Sequence, residues 1–167
     1  MSFSLLPAIV ANAVTDLTAE LLHSHGIRLL MLDFDNTLVP YTTDIPTKAV
    51  VDWLNAMSAS DISLCVVSNS KNSRVKNFCK AYGLDCITHA RKPFPKGICQ
   101  CLQRYGVPRT ECALVGDQIY TDTLGANCAG IRSILVRAID NHNIWLKARH
   151  VAELPFIFAS MNRRIYK

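Results

Sequence analysis

The chain has 167 residues, half of them hydrophobic, with 18 Lys+Arg against 13 Asp+Glu and a formal net charge of +5. That length suits a single domain with a full apolar core, needing no disulfide or metal staples. No stretch approaches the roughly eighteen apolar residues of a membrane span, and "MSFSLLPAIVANAVTDL" lacks the positive start of a signal peptide, so a cytoplasmic protein is expected.

Seven cysteines are present, an odd number with no CxxC pair, and most lie in apolar stretches such as "SLCVV" and "ECALVG". Reduced, buried thiols are the expected state. Lys and Arg are dispersed apart from Arg91–Lys92 and Arg163–Arg164, and aromatic residues do not interleave with a basic stripe, so no nucleic-acid partner is expected.

In chain order the periodicity predicts a helix from Leu17 to His25, a strand from Arg28 to Asp33 and a helix from Thr47 to Ser58. A strand from Ile62 to Ser68, a helix from Ser73 to Tyr82 and a strand from Asp85 to His89 follow. After them come a helix from Lys96 to Tyr105, a strand from Cys112 to Gly116, a helix from Thr121 to Ala129 and a strand from Ser133 to Val136. Residues Ile144 to Arg164 read as helical pieces broken near Pro155. The strands are continuous apolar runs, as expected of parallel strands covered on both faces. The implied fold is α/β: a doubly wound, Rossmann-like parallel sheet of about five strands with helices on both faces.

Ligands of such sheets bind beyond the C-terminal ends of the strands. Asp33, Asp35 and Thr37 follow the first predicted strand, "SNSKN" the second, "HARKPFPK" the third and "GDQIYTD" the fourth. Alternate side chains of an extended chain point the same way, so Asp33 and Asp35 face one site while Phe34 turns into the packing. Adjacent carboxylates repel unless a cation lies between them or one is protonated. With Asp117 they make an all-oxygen set suited to Mg²⁺, and a carboxylate beside such an ion can attack phosphorus.

These residues resemble the haloacid dehalogenase (HAD) superfamily. "DFDNT" is similar to its motif I, "VVSNS" to motif II, "RKPFP" to the motif III lysine and "GDQIYTD" to motif IV, in the right order over residues 33 to 122. "GIRLLMLDFDNTLVP" and "ARKPFPKGI" further resemble the subclass III, YqeG-type branch, which is related to phosphatidylglycerophosphate phosphatases. The resemblance implies a phosphomonoesterase working through an aspartyl-phosphate. Asp33 would be the nucleophile and Asp35 the general acid and then base. Ser68, Asn69, Thr37 and Lys92 would serve the phosphoryl group. Mg²⁺ would be held by Asp33, the Asp35 carbonyl and Asp117, with Asp122 just behind, orienting water or Lys92. Lys96 competes for the lysine role, with the "KP" context favouring Lys92.

The two cap-insertion points of that superfamily hold only "VPYTTDIPT", residues 39 to 47, and one helix with one strand. Residues 1–167 are therefore expected to be one capless domain, open to bulky substrates. The resemblance implies phosphatidylglycerophosphate as substrate. Soluble sugar phosphates, nucleotides or phosphoproteins are the alternative, and a non-catalytic HAD-fold binding module is the reading from another class. "LPFIFASMNRRIYK" and "FSLLPAIVANAV" are candidate surfaces for peripheral membrane contact, with a core-packing helix with a basic end the favoured reading of the first.

Overall fold

A computed structural model describes residues 3–71 and 73–140, together with Pro155 and Ala159. Six strands, β1 (Ile9–Val10), β2 (Leu29–Leu32), β3 (Ser63–Val67), β4 (Asp85–Ile87), β5 (Cys112–Gly116) and β6 (Arg132–Leu135), form one sheet in the order β1-β6-β5-β2-β3-β4. Every pairing is parallel. Five helices connect them: α1 (Ala19–Ser24), α2 (Lys48–Ser58), α3 (Ser73–Ala81), α4 (Lys96–Tyr105) and α5 (Leu124–Ala129).

The strands alternate between two cores. Leu30, Leu32, Leu64, Val66, Ala113 and Val115 pack with Leu22, Val50, Trp53, Leu54, Met57, Val75 and Phe78 of α1, α2 and α3. Their sequence neighbours Leu29, Met31, Cys65, Val67, Cys112 and Leu114 point the other way, onto Ile98, Cys101, Leu102, Ala126 and Ala129 of α4 and α5. A two-residue period in the strands thus divides the helices between the faces. All four β2 residues are fully buried, which explains their continuous apolar run; each such burial is worth about 1.5–3 kcal/mol. The doubly wound fold is as expected. All seven cysteines are free, and Cys65, Cys79, Cys101 and Cys112 are buried.

The sixth strand was not anticipated. Ile9–Val10 pairs with Ile134 and Leu135 at the sheet edge, and two residues are too few to show a period. That pairing corrects the reading of "FSLLPAIVANAV" as a membrane surface. Ile9, Val10, Ala11 and Val14 are buried in the fold, leaving Phe3 exposed. The third predicted strand stops at Ile87, because His89 takes a positive φ of 55° and leaves the extended region. The predicted helix from Thr121 opens instead as a π turn over Ile119–Thr123 before α5. The predicted C-terminal helical pieces, and with them "LPFIFASMNRRIYK", lie outside the described residues apart from Pro155 and Ala159.

The chain runs outward from β2 to β3 and β4, then returns to β5 on the opposite side of β2. The topological switch therefore lies between β2 and β5, and in such sheets the crevice beyond the strand ends at the switch is where ligands bind.

Candidate active site

Asp33 extends β2 by one ladder bond, its N–H donating to Val115 O at 2.9 Å. Phe34 turns inward, fully buried, with its ring edge-on to Phe78 at 5.2 Å. Asp35 points back to the crevice side and its backbone bridges Val39. Asn36 then reverses the chain in the left-handed region at φ 63°, which asparagine tolerates better than most residues. Its N–H donates to Val39 O at 2.7 Å, its Oδ1 accepts from the Tyr41 N–H at 3.1 Å, and its carbonyl accepts from the Ile139 N–H at 3.0 Å. Asn36 thus ties the loop after β2 to the loop after β6.

Beyond β3, Ser68 is buried, with its N–H on Ile87 O and its carbonyl accepting from the Ala90 N–H. Its Oγ accepts from the Ser70 N–H at 3.0 Å. Asn69 clamps the next loop: its Nδ2 donates to Lys92 O at 2.9 Å and its Oδ1 accepts from the Lys92 N–H at 2.6 Å. Arg91 adopts φ 58° just before Lys92, and the Lys92–Pro93 peptide is cis. This irregular loop delivers Lys92 into the crevice from the side of β4.

Lys92 Nζ donates to Asp33 Oδ1 and to Asp122 Oδ1, both at 2.6 Å, with the lysine side chain 1% exposed. Asp122 reaches inward from the π turn, where its own N–H is bonded to Gln118 O. Its Oδ2 accepts from the Gln118 N–H at 3.2 Å, so both of its oxygens are engaged. The close approach requires Gly116: a Cβ there would stand 2.3 Å from the Asp122 carboxyl. Widened helical turns recur at functional sites because they re-aim one side chain.

Burial disfavours the Lys92 ammonium, but Asp122 and Asp33 outweigh it and hold its pKa above the ordinary lysine value. Burial pushes the Asp122 carboxyl up to about 6, with Lys92 pulling it back. With Lys92 charged and bonded to it at 2.6 Å, Asp122 is ionised at neutral pH. Burial likewise raises Asp35, against the pull of the Arg74 guanidinium. Asp35 stands apart from the lysine-bridged group and pairs with Arg74 Nη1 at 3.1 Å.

Asp33, Asp117 and Asp122 offer carboxylate oxygens that all lie within 4.8 Å of one another, and all three residues are buried. Asp33 Oδ2 is buried with no hydrogen-bond partner among the described residues. Converging hard oxygen donors with a spare buried acceptor fit a divalent cation. Because Lys92 and Gln118 occupy Asp122, Asp33 and Asp117 are the better placed ligands.

Most residues expected from the sequence come together here: Asp33, Ser68, Asn69, Lys92, Asp117 and Asp122, with Asp35 on the same edge. Lys92 reaches the carboxylates, whereas Lys96 is exposed at the start of α4. The Asn69 side chain braces the Lys92 backbone, which leaves the expected phosphoryl contact to the backbone around Asn69. Thr37 is buried, and its hydroxyl has no hydrogen-bond partner among the described residues. His89, Lys71 and Arg91 are exposed on the surrounding loops. Arg74 was missed: "NSRVKN" reads as a helix face with a solvated charge, and nothing local shows that Arg74 reaches residues near Asp35.

A HAD-hydrolase-like family model matches residues 89–150. The chain is 32% identical over 131 residues to the probable phosphatase YqeG of Bacillus subtilis (strain 168), covering 78% of this chain and 76% of that protein. It is 26% identical over 170 residues to the chloroplastic/mitochondrial phosphatidylglycerophosphate phosphatase 1 of Arabidopsis thaliana, covering 95% of this chain but 45% of that one. The fold matches a putative HAD subfamily III A hydrolase of Legionella pneumophila with a TM-score of 0.54 and 16% identity, over 78% and 74% of the chains. It also matches the cobalt-bound deoxy-D-mannose-octulosonate 8-phosphate phosphatase of Haemophilus influenzae, with a TM-score of 0.54 and 12% identity, over 75% of each. At 32% identity over 76% of the probable phosphatase YqeG, and with a site that joins two carboxylates through one buried lysine, the chain belongs to the haloacid dehalogenase family of phosphatases.

Proposed function

We propose that this phosphatase is a Mg²⁺-dependent, capless phosphomonoesterase whose substrate is the phosphate of phosphatidylglycerophosphate at a membrane surface. The observation that carries the chemistry is the Lys92 ammonium held at 2.6 Å from both Asp33 and Asp122, beside Asp117, at the topological switch. Asp33 attacks phosphorus through a carboxylate oxygen, and the phosphorus–ester oxygen bond breaks. Asp35, raised by burial, gives its proton to the departing alkoxide. A water molecule then attacks the aspartyl-phosphate, and Asp35 takes its proton, releasing phosphate and restoring Asp33. Lys92 and the buried Ser68 hydroxyl hold the phosphoryl oxygens, where fixed donors give most of the stabilisation. Asp33 and Asp117 would hold the Mg²⁺, which supplies charge neutralisation between nucleophile and phosphoryl group.

The capless reading is supported by the short loop between β2 and α2, fastened by Arg74 and by Asn36. The lipid reading is supported by the name of the Arabidopsis relative and by the rim of the crevice. Of six exposed large hydrophobic residues among the described ones, five follow strand ends: Tyr41, Ile45, Phe94 and Ile139 on loops and Tyr120 on the π turn. Exposed Lys71, Arg91 and Arg137 accompany them. An apolar rim with cations suits an anionic lipid surface. Among the described residues no helix is long and apolar enough to cross a membrane, so contact would be peripheral to the bilayer.

The test is phosphate release from phosphatidylglycerophosphate in mixed micelles, with Mg²⁺ or with EDTA, beside a panel of soluble esters and an Asp33→Asn blank. Mg²⁺-dependent release concentrated on the lipid and absent from the variant is expected. Release from soluble esters alone would overturn the lipid assignment while keeping Asp33. Release unaffected by Asp33→Asn would overturn the mechanism.

A further inference from the structure

We propose that Arg74 is a positioning residue for Asp35, fixing the acid/base carboxylate and the loop beside it in one arrangement; this rests on the reading of Asp35 as proton donor. Arg74 is the second residue of α3, yet each of its described contacts is to the segment between β2 and α2. Its Nη1 pairs with Asp35 Oδ1 at 3.1 Å, its Nε with Asp44 Oδ1 at 2.6 Å, and its Nη2 donates to Thr43 O at 2.9 Å. The guanidinium lies over the Phe34 ring, 5.2 Å from the centroid. Its side chain is 15% exposed and that of Asp35 19%, against 59% for Asp44.

One hydrogen bond, from Nη2 to Thr43 O, and two ion pairs, to Asp35 Oδ1 and Asp44 Oδ1, join one rigid plane to one loop, which a lysine ammonium cannot copy. The ring beneath the plane limits its tilt. The exposed Asp44 arm contributes little by itself. The sheltered Asp35 arm sets where the carboxyl points. A general acid works only within hydrogen-bond reach of the leaving oxygen, and small misplacements cost rate steeply. Asp35 is outside the lysine-bridged group, and among the described residues Arg74 is its one ion-pair partner. The loop it fastens also carries the exposed Tyr41 and Ile45, so the same guanidinium sets the rim and the acid together.

A residue that merely holds the fold together would slow all substrates alike. A residue that positions the acid slows most the esters whose leaving group needs a proton. The experiment measures kcat/KM for aryl phosphates from 4-nitrophenyl to phenyl with the wild type, Arg74→Ala, Arg74→Lys, Asp44→Asn and Asp35→Asn. Melting temperatures are measured alongside. General acid catalysis contributes about 10²–10⁴-fold, so Arg74→Ala is expected to slow the phenyl ester at least about tenfold more than the 4-nitrophenyl ester. Arg74→Lys should show the same selectivity even if Arg74→Ala does not fold, and Asp44→Asn should show little. Selective loss in Asp35→Asn with uniform loss in both Arg74 variants overturns the positioning role and leaves the acid assignment standing. Lack of selectivity in Asp35→Asn overturns the acid assignment, and the positioning role with it.

Discussion

Replacing Lys92 by methionine would keep the volume of the side chain but leave Asp33 and Asp122 facing each other across a buried gap. The wild-type lysine bonds both at 2.6 Å, and the three side chains are 1%, 9% and 1% exposed. Removing one partner of a buried ion pair costs about 3–5 kcal/mol, because the other charge is left uncompensated. Asp33 has some access to water, which places the cost near the lower end, about 3 kcal/mol. At about 2–4 °C per kcal/mol for a chain of this size, the melting temperature should fall by about 6–12 °C. The pH dependence has a definite sign. Without Lys92 the Asp122 carboxyl loses the pull that opposes its burial, so its native pKa stands further above its unfolded value than in the wild type. The native variant therefore binds more protons than its unfolded chain, and its stability rises as pH falls. Urea unfolding in EDTA at pH 7 and pH 5 would measure this, with the gap to wild type narrowing at pH 5. A gap below about 1 kcal/mol at pH 7, or one that does not narrow, would refute the buried bridge.

Gly116→Ala places a Cβ 2.3 Å from the Asp122 carboxyl; Asp122 must then swing off Lys92, and turnover should fall at least about tenfold while far-UV circular dichroism stays native. The alkaline limb of kcat/KM should lie above the ordinary carboxyl range, because burial raises Asp35. Arg74 opposes that shift, so Arg74→Ala should move the limb to higher pH even as the plateau drops, as a pH–rate profile would show. Asp117→Asn should weaken Mg²⁺ binding by at least about tenfold, or about 1.4 kcal/mol, in calorimetric titration of the apoprotein, and EDTA should abolish phosphate release. Asn69→Ala removes both bonds to the Lys92 backbone and should lower kcat more than it raises KM, since the lysine acts on the transferring group.

Much of the molecule is written locally. Leu29 to Leu32 are apolar without interruption because both faces of β2 are covered, and that run identifies a central parallel strand. The polar groups after each strand identify the crevice, since ligands of such sheets gather at the strand ends. Asp33, Ser68, Lys92, Asp117 and Asp122 were legible because each closes an element or opens a loop of recognisable type. The Ile9–Val10 strand was not legible, since its only reason to be extended is β6, more than a hundred residues away. The inward aim of Asp122 was not legible either: it depends on the π turn and on the missing Cβ of Gly116. The "KP" context already favoured Lys92 over Lys96, and the Asn69 clamp and the irregular loop before Lys92 are how the fold brings it to the carboxylates. Arg74 is the plainest case. In sequence it is one charge on an amphipathic helix, and only the packing of α3 beside the loop after β2 turns it toward Asp35. Short-range propensity and period determine which residues end strands; which side chains then meet depends on contacts between distant segments, and those exist only once the sheet is assembled.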